Sequence, residues 1–158
     1  MRVFVAGPRT ISQLEPVILQ QINTIITNGF TILIGDSIGI DQAVQEYLTE
    51  KRYKKVKIYA SDGIARINTG GWEVIKIAIA EGTKGFAFYA AKDLSMAIAA
   101  DYGLMVWNGI SKGTFNNFIN MIRLEKKVLV YYTPEQKFYI LQSMDDIEKL
   151  CVYPFICP

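Results

Sequence analysis

At 158 residues, 51% of them hydrophobic, the chain is long enough to bury one sizeable core without disulfide or metal staples, and a single domain over residues 1–158 is the expectation. The complete lack of histidine excludes the commonest general base, the commonest metal ligand and every Ser-His or Cys-His nucleophile pair. A formal charge of +2 is too small to be a nucleic-acid footprint by itself, which argues against nucleic acid as a partner and makes any anion site a local one.

In chain order, Arg2 to Ala6 is a short apolar run ended by Gly7-Pro8-Arg9, which suits a buried strand breaking into a loop. Glu15 to Asn28 follows with Val17, Ile18, Ile22, Ile25 and Ile26 at helical spacing, Ser12 as a cap and Gly29 as a stop. Phe30 to Ile34 repeats the strand pattern and ends in Gly35-Asp36-Ser37-Ile38-Gly39. There Asp41 is read as the cap of a helix carrying Ala43, Val44, Tyr47 and Leu48. Val56 to Ala60 is a third strand, Ile64 to Gly71 a loop, and Trp72 to Ala80 is read as helical. Gly82 to Ala91 has no clear pattern. Lys92 to Ala100 reads as a packed helix, Gly103 to Trp107 as the fourth strand, and Asn108 to Thr114 as a loop opening a helix lined by Phe115, Phe118, Ile119 and Ile122. Val128 to Tyr132 is a further strand and Phe138 to Leu141 a short one; residues 133–158 form an extension without a firm assignment.

Strands alternating with helices predict an α/β fold of the Rossmann-like, doubly wound kind, its mostly parallel sheet covered by helices on both faces. No apolar run reaches the roughly 18 residues of a membrane span, and the N-terminus shows no signal-peptide pattern, so a cytoplasmic protein away from membranes is expected. Cys151 and Cys157 both lie in the tail; two thiols without histidine fall short of a zinc site, and neither metal nor cofactor is expected.

In such sheets ligands sit outside the carboxyl ends of the strands, which is where the Gly- and Asp-rich loops fall. Asn108, Gly109, Ser111, Lys112, Gly113 and Thr114 offer backbone amides, a hydroxyl and a helix N-terminus to a phosphate, or merely shape a tight turn. The spacing is not that of a Walker A loop. Gly35 and Gly39 let backbone approach a ligand, and Asp36, free of capping duty, is read as the better contact for sugar hydroxyls than Asp41. Gly7, Pro8 and Arg9 put a cation beside the first strand end, and Arg66 stands in the loop after the third. Asp93, read as lying in the first turn of its helix, and Asp101 are the candidate catalytic carboxylates for glycosidic-bond chemistry. Lys51 to Lys57 is a basic cluster with an interleaved tyrosine, placed at a helix C-terminus where cations also complement the dipole.

With those loops in place, the first 130 residues or so resemble the SLOG superfamily, which groups DprA, the Lonely-guy phosphoribohydrolases and YspA-like proteins. The resemblance rests on Val5-Ala6-Gly7-Pro8-Arg9, on the loop from Gly35-Asp36 to Gly39-Ile40-Asp41, and on the Gly109 to Thr114 loop. Nucleoside deoxyribosyltransferases look distantly related in the same places. Where Lonely-guy enzymes and deoxyribosyltransferases carry a glutamate, this sequence has Asn117, which cannot act as nucleophile or base. The leading expectation is therefore binding of a nucleotide or nucleotide-derived small molecule. An N-glycosidic hydrolase or transferase using Asp93 or Asp101 is the alternative, and DprA-like single-stranded DNA binding through Lys51 to Lys57 ranks last. A homodimer or larger homo-oligomer is expected.

Overall fold

The computed structural model describes residues 1–151, and Cys157 and the end of the 133–158 extension lie outside them. Five α-helices and seven strands follow one another along the described chain: β1 (Arg2–Ala6), α1 (Pro16–Thr27), β2 (Thr31–Gly35), α2 (Ile40–Glu50), β3 (Val56–Ser61), β4 (Glu73–Ile77), α3 (Phe86–Ala99), β5 (Tyr102–Trp107), α4 (Lys112–Arg123), β6 (Val128–Tyr132), β7 (Lys137–Leu141) and α5 (Met144–Cys151). They build a single sheet in the order β4-β3-β2-β1-β5-β6-β7. All neighbours run parallel except β7, which returns antiparallel on β6. This is the expected Rossmann-like α/β arrangement. No described helix is long and apolar enough to cross a membrane.

The two faces follow from the two-residue period of each strand. In β1, Val3 and Val5 join Ile18, Ile22 and Ile25 of α1 and Val44 and Leu48 of α2 on one face. Phe4 and Ala6 point the other way, into a cluster with Met96 and Ala97 of α3, Phe118 and Met121 of α4 and Ile147 of α5. At about 25 cal/mol per Å² of apolar surface buried, these two layers are the main favourable contribution to the fold.

Helix ends explain several boundaries. Helix α1 starts with Pro16, whose missing amide costs nothing at that position, and its flanking residue is Glu15 rather than Ser12, without a side-chain cap. Its C-terminus is a Schellman turn: Gly29, at φ 67°, donates to the Ile26 carbonyl and Phe30 donates to that of Ile25. Helix α2 begins after Gly39, so Asp41 is inside its first turn and is not its cap.

Two assignments differ from the sequence reading. Residues read as a helix from Trp72 are instead the edge strand β4, paired in parallel with β3 from Lys57↔Glu73 to Ser61↔Ile77. Here the β-branched residues Val74, Ile75 and Ile77 favour the pleated edge. The strand entry is pinned by the Trp72 indole donating to the Tyr53 carbonyl at 2.8 Å and by Asn68 clasping the Trp72 backbone. Helix α3 starts six residues earlier than expected, at Phe86 after Gly85, so Asp93 sits in its middle and not in its first turn. The extension supplies β7 and α5, which cover the β6 side of the sheet.

Candidate functional site

Strand β1 lies between β2 and β5, so the chain order reverses there and the loops leaving β1 and β5 diverge, opening a crevice at their carboxyl ends. A cavity of about 570 Å³ fills that crevice. It is of the size that takes a small organic ligand. Its walls are Gly7 to Thr10 after β1, Gly35 and Ser37 after β2, Asp41 of α2, Tyr89, Lys92 and Asp93 of α3, and Asn108, Ser111, Gly113 and Thr114 after β5, with Asn117 behind them.

Beneath the cavity is a buried ion cluster. Asp36, 3% exposed, accepts from the Lys92 ammonium at 3.0 Å, from the Arg66 guanidinium at 2.8 and 3.2 Å, and from the Arg66 backbone amide at 3.0 Å. Burial alone would raise this carboxyl; the Arg66 hydrogen bonds and the Lys92 charge outweigh it and hold Asp36 well below the usual carboxylate range. Its oxygens are committed to these partners, so Asp36 has the structural duty that the sequence reading denied it, and it does not line the cavity. Gly35 makes the cluster possible: a Cβ there would stand 2.6 Å from an Asp41 carboxylate oxygen and 3.2 Å from the Lys92 ammonium.

Asp41 and Asp93 do line the cavity. Asp41 is 8% exposed and accepts one hydrogen bond, from the Ser37 amide at 3.2 Å. Burial pushes it up to about 7 against the attraction of Lys92, with the neighbouring Asp93 adding repulsion. Burial likewise pushes Asp93 up to about 6, opposed by Lys92 and by the Asn117 amide. With its nitrogen turned toward the acceptors, Asn117 donates to Asp93 at 3.1 Å and to the Gly113 carbonyl at 3.3 Å. Carboxyls that titrate near neutral pH hold or release a proton at little cost, which suits them to hydrogen-bond a ligand's hydroxyl or amine and to acid–base chemistry.

The opposite wall presents hydroxyls, a helix N-terminus and a cation. Ser111 caps α4, its hydroxyl accepting from the Thr114 amide at 3.3 Å and lying 3.0 Å from the Thr114 hydroxyl. Asn108 accepts from the amides of Ile110 and Ser111 and holds the loop in place. The amides of Lys112 and Gly113 have no acceptor among the described residues, at the positive end of a 12-residue helix. Arg9 has no carboxylate partner among the described residues and stacks on the Tyr89 ring at 4.8 Å. Arg66 stacks on the same ring at 4.9 Å and Lys92 stands 5.8 Å from its centre, so Tyr89 gathers three cations beside the cavity.

The structure thus brings Gly7, Pro8, Arg9, Gly35, Asp93, Asn108, Ser111, Gly113 and Thr114 to one cavity. Arg66 stands behind it on Asp36. Gly39, at φ 84°, packs against the Pro8 and Arg9 backbone, and Gly109, at φ 80°, packs on Tyr132; both shape loops. Lys112 belongs to the α4 turn without lining the cavity. Asp101 is placed elsewhere: it binds the Arg2 amide at 2.6 Å, where β1 and β5 begin, on the edge of the sheet opposite the cavity. The Lys51 to Lys57 cluster is on that far edge too, with Lys55 on the Gly29 carbonyl and Lys57 3.6 Å from Glu73. Sequence reasoning gave no role to Tyr89, in a stretch without a clear pattern, or to Lys92 at the start of the expected helix, and set Asp41 aside as a cap.

No family model and no curated protein matches the sequence. Among solved structures, the fold is similar to DNA processing protein A from Helicobacter pylori, reported for its single-stranded DNA binding mode. The two share 14% identity and a TM-score of 0.62, over 82% of this chain and 64% of that one. The chain therefore spans less than two thirds of that neighbour. The likeness supports the resemblance named above at the level of fold. It also corrects the sequence argument against nucleic acid: a small net charge does not set this fold apart from strand binding, since a protein of the same fold binds single-stranded DNA.

Proposed function

We propose that the cavity at the β1–β5 crevice binds a phosphate-bearing nucleotide unit. One observation carries the reading: the Gly113 amide at the start of α4, the Ser111 and Thr114 hydroxyls and Arg9, which has no carboxylate partner among the described residues, line the same cavity as two carboxyls poised near neutral. Phosphate on the α4 end would be met by backbone dipoles and Arg9, and the hydroxyls or amines of the sugar and base by Asp41 and Asp93. Ligands with only one of the two chemistries would leave half of the site unmatched.

A second reading makes that unit part of a single DNA strand. It is favoured by the fold shared with DNA processing protein A and by an open cavity whose lip carries the exposed Phe86 and Ile110, surfaces on which bases can stack. The basic groups that would meet the strand are Arg9, Arg66 and Lys112, since Lys51 to Lys57 lies on the other edge.

The test is calorimetric titration with ribose 5-phosphate, nucleoside monophosphates and a short single-stranded oligonucleotide at two salt concentrations, with chromatography of the mixtures for free base. Binding of the monophosphates that is lost in Arg9→Ala supports the nucleotide site. Much tighter, salt-sensitive binding of the oligonucleotide selects the strand. Base release lost in Asp93→Asn adds N-glycosidic cleavage to the site, and no binding of any of the three overturns the proposal.

A further inference from the structure

Along α3, Tyr89, Lys92, Asp93 and Met96 recur at helical spacing, so one side of the helix lines the cavity with a ring, a cation, a carboxyl and a thioether. Three cations gather on that ring, Arg9 at 4.8 Å, Arg66 at 4.9 Å and Lys92 at 5.8 Å from its centre. Two of them are held without it. Lys92 and Arg66 both donate to Asp36, and Arg66 also reaches the Ser37 hydroxyl at 3.1 Å. Arg9 has no carboxylate partner among the described residues. Its backbone is fixed, since the Ile40 amide donates to the Pro8 carbonyl at 3.2 Å and Gly39 packs so closely that a Cβ there would stand 2.5 Å from the Arg9 Cα. Its long side chain is left to the Tyr89 ring.

We propose that Tyr89 is a positioning residue, which holds the Arg9 guanidinium toward the phosphate of the ligand; this role rests on the nucleotide reading of the cavity. A ring and a carboxylate hold an arginine in different ways. A carboxylate occupies the guanidinium's donors and offsets its charge, so an incoming phosphate would have to displace it. An aromatic face attracts the cation through its quadrupole and leaves the N–H edge free for an anion. The arginine is then ordered before the ligand arrives and loses less rotamer freedom on binding.

The three cations also repel one another, and Asp36 is the one carboxylate among the described residues that pairs with any of them. An anion beside Arg9 relieves that repulsion, whereas a neutral ligand does not. Tyr89 is therefore expected to serve phosphate-bearing ligands in particular.

Nuclear magnetic resonance of the free protein reads the stack itself. The Arg9 δ-methylene protons, assigned by their loss in Arg9→Ala, are expected to be shifted upfield by the Tyr89 ring current in the wild type and in Tyr89→Phe. In Tyr89→Leu, which keeps an apolar, helix-compatible side chain at this half-buried position, the shift is expected to vanish. Calorimetry with the ribonucleoside monophosphates reads the consequence: Tyr89→Leu weakens binding about 3- to 30-fold, the range of a cation–π contact, and Tyr89→Phe restores it. Unshifted Arg9 protons in the wild type overturn the proposal without any ligand. Equal affinity of the wild type and Tyr89→Leu also overturns it, as does a loss in Tyr89→Phe as large as in Tyr89→Leu, which would assign the effect to the hydroxyl. A ring-current shift in a wild type that binds none of the monophosphates overturns the nucleotide reading itself and takes the role of Tyr89 with it.

Discussion

Asp36 and Lys92 form an ion pair at 3.0 Å in which the two side chains are 4% and 3% exposed, linking the end of β2 to the middle of α3 under the cavity. Such a pair gains little over an apolar contact of the same shape, but breaking it leaves a stranded charge. Asp36→Ala is expected to destabilise the protein by about 3–5 kcal/mol, because the Lys92 ammonium loses its carboxylate. Arg66→Ala removes a partner whose side chain is 42% exposed and is expected to cost far less. Urea unfolding of the two variants checks the ranking.

The titration of Asp41 gives a pH signature. Its folded value of about 7 lies above the 3.8 of an unperturbed aspartate, so the folded state holds its proton after the unfolded chain has released it. The contribution is full below about 4 and is lost as pH rises to about 7. Asp41→Asn is therefore expected to remove that decline and to be more stable than wild type at pH 8, by on the order of 2–4 kcal/mol, with no gain at pH 4. Thermal unfolding across this range reads the difference, and parallel curves for the two proteins would refute it.

Arg9 is exposed and makes no ion pair among the described residues, so its removal has little to do with folding. Arg9→Ala is expected to weaken binding of a nucleoside monophosphate roughly 10- to 100-fold, the worth of a charge-assisted hydrogen bond. The melting temperature should stay that of the wild type. Unchanged affinity in calorimetry would remove Arg9 from the anion site.

Gly35→Ala places a methyl group 2.6 Å from Asp41 and 3.2 Å from Lys92. Neither neighbour is free to move, one being buried in the first turn of α2 and the other tied to Asp36. A loss of about 1–3 kcal/mol in stability is expected, as for overpacking in a core. Differential scanning calorimetry would measure it, and a neutral substitution would mean that the ion cluster can rearrange.

Much of this architecture could be read from the residues because β1, β2, β3 and β5 each declare themselves twice, by an apolar run and by the Gly7, Gly35-Asp36, Asp62-Gly63 or Asn108-Gly109 that closes it. Gly35-Asp36 and Asn108-Gly109 marked strand ends correctly, and those ends fix the edge on which the cavity opens. β4 was misread because the Glu73-Val-Ile-Lys-Ile sequence is short and its apolar residues fit both periods; only pairing with β3 decides between them. The division of labour between Asp36 and Asp41 was not legible either. It depends on where Lys92 and Arg66 fall in space, 56 and 30 residues away from Asp36 along the chain, and no local pattern reports that.

The placement of β4 bears on how the molecule behaves in crowded solution. It is the outermost strand on its side of the sheet, with one row of backbone groups facing away from β3. Such a margin invites further strands to add on, the first step toward fibres. Here it is only five residues long and carries Glu73 and Lys76 as exposed charges. A foreign strand adding there would have to desolvate both, so the same short, charged segment that disguised itself in the sequence guards the open margin of the sheet against growth.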